Sequence, residues 1–392
     1  MIHLKIFFKD RISRALGLAF MLLGYTFGSW AATIPALKQR LDLDEAELGM
    51  LLLLLPAGVI IMNLGSVPLL ARFGASKLTV IALPTTAFLF ALPHLMPDQF
   101  MTGVCLFMAG AFFSSTNMAV NTCTTTYEDH ANVKIISTSH GLWSAGAMMG
   151  AAISSLSVGV GLHPSIYGLM LGIIITLVSL SVLSGQLDLI PRRSHMHADQ
   201  DLSSPKFTMP NSALWLLIII SICVCLTEGT MVDWSSVYMS EVVHAPDTLV
   251  GFGYAIFAFF MSSGRFFGDV LTSKFSGKQV LLYCGILAFT GLNICIWTTS
   301  IVVALIGCAV VGAGVSMGSP MLYAAASRVG GLRQGVGLAT MNTFAMIGYL
   351  GGPALLGFIA RTYALTTAFA VVAFATLIWI FVVKTKVSNQ FE

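Results

Sequence analysis

Glu228 and Asp233 stand five residues apart in TEGTMVDWSSVY (227–238), directly after the apolar run LWLLIIISICVCL. A carboxylate enclosed by apolar groups is costly to ionise, and that cost raises its pKa toward a range where it can take and release a proton. Both acids are therefore candidate proton carriers, with Glu228 near the middle of the apolar stretch. Glu228 reads either as a proton-coupling or substrate-binding carboxylate, or as a structural acid bonded to neighbouring hydroxyls. Five residues turn a helix by about 500°, leaving Asp233 about 140° around and roughly 7.5 Å further along. That separation excludes a shared-proton dyad. Asp233 suits an interhelix pair, part of an outer gate, or an interfacial acid facing headgroups.

Other side chains repeat at helical spacing. Arg265 and Asp269 are four apart, so they share a face and can pair. They read as a gating or helix-locking network; the alternative is that Arg265 holds an anionic substrate by a bidentate bond. Asn117 and Asn121, also four apart, present amides that suit sugar or polyol hydroxyls or bond between helices. His140, Trp143 and Ser144 share a face, and His140 can relay protons or sit as a solvated edge residue. Trp30 and Trp234 read either as stacking surfaces for a ring-shaped substrate or as interfacial belt aromatics. Tyr25 and Tyr254 complete the candidate cavity.

The elements that must position these residues follow from composition. Of 392 residues, 56% are hydrophobic and only 9% charged, far below the roughly 25% charged residues of a soluble domain. Runs of about 20 apolar residues recur throughout, each long enough to cross a bilayer core. No short segments of alternating polarity point to a barrel. Twelve spans are expected, near 15–37, 47–70, 78–96, 100–125, 137–159, 165–187, 212–239, 248–272, 279–299, 301–326, 335–360 and 365–383. Span 1 follows Lys5, Lys9, Arg11 and Arg14 like a signal peptide, but its long apolar run and eleven successors mark a retained helix. With both termini cytoplasmic, only Lys38, Arg40 and Arg361 of the twenty basic residues fall outside, and Arg265 lies within a span. The net charge of +3 reflects this bias and points to no nucleic acid. All seven cysteines fall within spans with no C-x-x-C pair, so no metal and no cofactor are expected.

The polar segment 188–211 splits the chain into a six-span half at 1–187 and another at 212–392. At an offset of 202, Gly110-Ala111 meets Gly312-Ala313, Gly146 meets Gly348, and Gly150 meets Gly352. At an offset of 204, Trp30 meets Trp234 and Gly49 meets Gly253, but Gly24 meets Glu228, Ser29 meets Asp233, Ile61 meets Arg265 and Gly65 meets Asp269. Two parallel six-helix repeats are expected, with charges specialised to the second.

This organisation resembles the major facilitator superfamily. The loop GSVPLLARFGASK (65–77) is similar to the family signature between helices two and three. It keeps Arg72, Phe73, Gly74 and Lys77, while Ala71 stands where the family usually carries Asp. GRFFGDVLTSKFSGK (264–278) is a degenerate second copy. The strings GSWAATIPALKQRLDLDEAELG, SHGLWSAGAMMGA, EGTMVDWSSVY and GRFFGD resemble a bacterial branch related to fucose-permease-type sugar symporters, although span 1 lacks the acid of the fucose type. The resemblance implies an all-α fold of two pseudo-symmetric six-helix halves in a bacterial inner membrane, with Arg72 and Lys77 as gating residues. It implies a monomeric, non-enzymatic secondary transporter that moves a small polar solute such as a sugar by alternating access. The coupling ion is a proton, with sodium as the alternative. The rival function is proton-driven efflux of amphipathic compounds. No Walker sequence supports ATP-driven pumping.

Overall fold

The computed structural model describes residues 7, 9–190, 210–329 and 336–386, apart from the side chains of residues 64, 66, 67 and 269. No strand occurs among the described residues. Twelve helices are long and apolar enough to cross a membrane: span 1 Arg11–Arg40, span 2 Glu45–Asn63, span 3 Ala75–Leu95, span 4 Gln99–Ala131, span 5 Ile136–Gly159, span 6 Pro164–Leu187, span 7 Ser212–Glu241, span 8 Asp247–Phe266, span 9 Gly277–Trp297, span 10 Ile301–Ser327, span 11 Val336–Thr362 and span 12 Leu365–Thr385. The all-helical, twelve-span expectation holds, with ends shifted by a few residues. Helix starts are marked by side chains that accept the first orphan amides. Asp98 accepts from Met101 N and Asn211 from Leu214 N, and Ser276 forms a capping box with Gln279.

The chain condenses into two units. The first gathers Met1–Leu43, Leu51–Ser194 and Pro246–Ala255; the second gathers Asp44–Met50, His195–Ala245 and Ile256–Glu392. Each unit thus takes one short segment from the opposite half of the sequence. Most of the linker expected at 188–211 lies outside the described residues.

Two of the repeat pairs perform the same packing task in both units, whereas a Cβ at Gly352, the counterpart of Gly150, would meet only Leu226 Cδ1 at 3.4 Å. In the first, a Cβ at Gly146 or Gly150 of span 5 would strike the carbonyl oxygen of Met21 or Tyr25 in span 1. In the second, a Cβ at Gly348 would stand 2.7 Å from the Ile222 carbonyl oxygen, on the matching pair of spans 7 and 11. Likewise Gly110 abuts the Leu55 carbonyl, and its counterpart Gly312 abuts that of Phe257. Only a residue without a side chain allows backbones this close. Ser29 Oγ donates to the Gly150 carbonyl and Ser154 Oγ to the Ser29 carbonyl, each at 3.3 Å, so hydrogen bonds reinforce the seam of spans 1 and 5.

Span 1 is also tied at its start. Asp10 accepts from Ser13 N at 2.7 Å, Ser13 Oγ at 2.6 Å and Tyr127 OH of span 4 at 2.9 Å. Burial alone would raise the Asp10 pKa, but these hydrogen bonds favour the charged form and hold it below the usual carboxylate value.

Gly146→Val should lower thermal stability by about 1–3 kcal/mol through overpacking, whereas Gly351→Ala, with open space around the new methyl, should leave it unchanged or slightly raised. Melting curves in detergent check both. A depressed folded pKa means that Asp10 adds stability above its unfolded pKa of about 3.9, and loses it as pH falls through the lower folded value. Asp10→Asn should therefore lose about 1 kcal/mol at neutral pH and flatten the acid limb of a pH–stability profile.

Candidate functional site

The charged cluster lies in the second unit. Glu228 of span 7 faces Arg265 of span 8, with Oε1 and a guanidinium nitrogen 3.9 Å apart. The Glu228 side chain is 16% exposed and that of Arg265 37% exposed, so the acid is the more enclosed partner. Tyr349 of span 11 donates a hydrogen bond to Glu228, and Tyr323 of span 10 lies within electrostatic reach of both charges. Arg265 also donates through Nε to the Ser316 carbonyl of span 10 at 3.3 Å. One carboxylate and one guanidinium therefore connect four spans. At 3.9 Å and an effective dielectric near 20 their gross attraction is about 4 kcal/mol, much of it offset by desolvation. A proton on Glu228 would remove that attraction.

This arrangement changes the reading of Arg265. Its described partner is Glu228 from the neighbouring span; the expected pairing with Asp269 falls on a side chain outside the described ones. The helix is divided at Phe267 into Phe252–Phe266 and Gly268–Lys274, while Phe267 N still donates to the Ser263 carbonyl at 3.2 Å and Leu271 N to the Phe267 carbonyl at 3.0 Å.

Asp233 is half-buried one turn beyond Glu228, and among the described residues no hydrogen bond or ion pair reaches it. The Trp234 indole N–H and the Ser235 and Ser236 hydroxyls that follow it are buried without partners. Successive helical residues point about 100° apart, so these four groups cannot converge on one ligand. Trp234 is fully buried, inside the helix packing rather than on a membrane-facing belt.

In the first unit, spans 4 and 5 bring Asn117, Asn121 and His140 together. Asn121 Nδ2 donates to the Asn117 carbonyl at 2.8 Å and to its Oδ1 at 3.0 Å, and His140 Nε2 lies 3.1 Å from Asn121 Oδ1. A turn away, Phe27 packs against Phe113 at 5.3 Å, Trp143 at 6.1 Å and Tyr254 at 6.4 Å between centroids. Tyr25 OH meets Tyr167 OH at 2.9 Å, and Tyr167 OH meets Ser29 Oγ at 3.3 Å. Beside this chain lies a small cavity of ≈ 20 Å³ lined by Thr26, Ser29, Trp30, Thr33, His94 and Tyr167, among others. That volume holds one water. Trp30 is buried there, 6.0 Å from the His94 ring. Arg72 and Lys77 are exposed, Arg72 lying over the Phe73 ring at 5.5 Å.

Tyr349, Tyr167 and His94 had no signal in the sequence. Each is a single polar residue in an apolar run, and only the contact across helices gives it a role. Among the described residues no group of His, Cys, Asp or Glu could hold a metal ion.

The sequence profile of the Major Facilitator Superfamily matches residues 16–333 and 216–389. An uncharacterised MFS-type transporter of Yersinia pestis is 30% identical over 363 residues, 92% of either chain. Membrane protein MosC of Rhizobium meliloti is 26% identical over 363 residues, 90% of this chain and 85% of its own. Among solved structures, the nucleoside transporter NupG superposes with a TM-score of 0.71 at 15% identity, covering 97% of this chain and 100% of that one. A bacterial homologue of the iron transporter ferroportin gives a TM-score of 0.69 at 14% identity, covering 95% and 98%. At such identities the structural matches speak for the fold.

Removing one member of the Glu228–Arg265 pair leaves the other charge poorly compensated. The double variant Glu228→Gln/Arg265→Gln should therefore melt above either single variant, a comparison read from a thermal double-mutant cycle.

Proposed function

Because the chain belongs to the major facilitator superfamily, we propose that it is a proton-coupled secondary transporter of a small polar solute, with Glu228 as the coupling carboxylate. The observation that carries this reading is the Glu228 carboxylate held at once by Arg265 and Tyr349 from two other spans. Protonation neutralises the acid, weakens its hold on Arg265, and changes the balance of forces among spans 7, 8, 10 and 11. Proton binding is thereby tied to helix arrangement, as alternating access requires. Asp233 is the second candidate acid. The solute site draws on Asn117, Asn121, Tyr25, His140, Trp143 and Tyr254, and Arg72, Lys77, Arg265 and Asp269 serve gating.

The placement of basic residues supports a bacterial inner membrane protein with both termini in the cytoplasm. A monomer is the proposed working form. The rival reading, efflux of amphipathic compounds, is favoured by one observation: the aromatic side chains around Phe27 offer an apolar surface to flat molecules.

The test is uptake into proteoliposomes across an imposed pH gradient, with sugars, polyols, nucleosides, small organic acids and hydrophobic cations as solutes. Uphill accumulation of a neutral polar solute is expected. Glu228→Gln should abolish accumulation while sparing solute exchange. Accumulation that survives this change would remove Glu228 from the coupling role. Resistance conferred on overproducing cells, with no polar solute accumulated, would favour efflux.

A further inference from the structure

The hydrogen-bonded strip in the first unit has a direction, and the direction selects a ligand. Asn121 Nδ2 lies 2.8 Å from the Asn117 backbone carbonyl. A carbonyl can only accept, so the atom there must be the amide nitrogen, which fixes the orientation of the Asn121 side chain. Its oxygen then faces His140 Nε2 at 3.1 Å, and that nitrogen must carry a proton to bond it. Asn121 also donates to Asn117 Oδ1 at 3.0 Å, which turns the Asn117 amide nitrogen away from the network. The chain therefore runs from His140 through Asn121 to Asn117. It ends in two N–H donors on Asn117 that no described residue accepts.

One turn before Asn117 on the same helix face stands Phe113, half-buried, with Phe27 against it and Trp143 against Phe27 in turn. Amide donors thus lie next to aromatic faces from spans 1, 4 and 5. The inter-ring angles of Phe27 with Phe113 and with Trp143 are both 34°, so the rings lie nearer to parallel than to edge-on. No acidic or permanently cationic side chain belongs to the strip. Hydroxyl-rich solutes can accept from Asn117, but each hydroxyl also carries a donor that needs an acceptor of its own. A flat ring bearing carbonyl oxygens or ring nitrogens meets both features, stacking on the aromatics and accepting from Asn117.

We infer that the first unit binds an uncharged planar heterocycle through its acceptor edge, with Asn117 as the donor and Phe113 and Trp143 as the stacking surface. The assignment rests on the transporter reading above and narrows its solute class. Asn121 and His140 position Asn117 rather than touch the ligand.

The test uses purified full-length protein with uracil and hypoxanthine as probes and myo-inositol and glucose as controls. Binding is read from the shift in melting temperature and from quenching of tryptophan emission. One of the two rings should stabilise the protein and quench an emission component that is missing in Trp143→Phe, while neither polyol acts. Asn117→Asp, which exchanges donors for acceptors at constant shape, should weaken ring binding at least tenfold. Phe113→Leu should do the same, and serves if the Asp variant folds poorly. Stabilisation by a polyol, or by neither ring, overturns the heterocycle assignment and leaves the transporter reading standing. Failure of all transport in proteoliposomes, with ring binding intact, counts against that reading instead.

Discussion

Hydrocarbon offers no hydrogen-bond partner, and the polar groups of the spans are arranged around that lack. Most hydroxyls solve it locally. Thr79, Thr86, Thr124, Thr227 and Thr230 each donate to the backbone carbonyl four residues earlier, so a polar residue costs the helix little and needs no neighbour. Other polar groups reach across to a neighbouring helix, among them Glu228, Arg265 and Tyr349 in one unit, and His140, Ser29, Ser154 and the Tyr25–Tyr167 pair in the other. Their bonds cross from helix to helix, and they are the places where chemistry and packing are coupled.

The same solvent removes the hydrophobic drive for helices to associate, since lipid tails are as apolar as leucine. Close approach supplies the cohesion instead. Spans 1 and 5 meet backbone to backbone at Gly24, Gly28, Gly146 and Gly150, and the serine bonds across that seam add direction. A seam of this kind has few alternative rotamers to explore. It gives His140 of span 5, which meets Asn121 of span 4, a fixed frame on the side of span 1.

Span number, approximate ends and the twofold repeat of six spans were legible in the sequence because each rests on a local property: run length, charge punctuation, or identical glycines at a constant offset. The glycine matches were the most informative, since Gly146 and Gly348, or Gly110 and Gly312, turn out to do the same work in their respective units. Side-chain partnerships were harder to read. Helical spacing offers Arg265 a partner on its own span, whereas the partner described for it, Glu228, comes from another span. Asn117 and Asn121 were correctly placed on one face, but the third member, His140, comes from a different helix whose rotation no single-span pattern reveals. Trp30 and Trp234 read from sequence either as stacking surfaces or as interfacial belt residues, and burial of both speaks against the belt. What decides such cases is the relative rotation of neighbouring helices, which depends on the whole set of contacts at once.

Gly24 and Glu228 occupy equivalent positions of the repeat, and the seams around them have diverged. A Cβ at residue 24 would collide with the Trp143 carbonyl, so the first seam admits no side chain there, whereas the second accommodates a carboxylate with Tyr349 against it. A single substitution therefore cannot convert one seam into the other. Introducing an acid at residue 24 would require the helices of the first seam to move apart first.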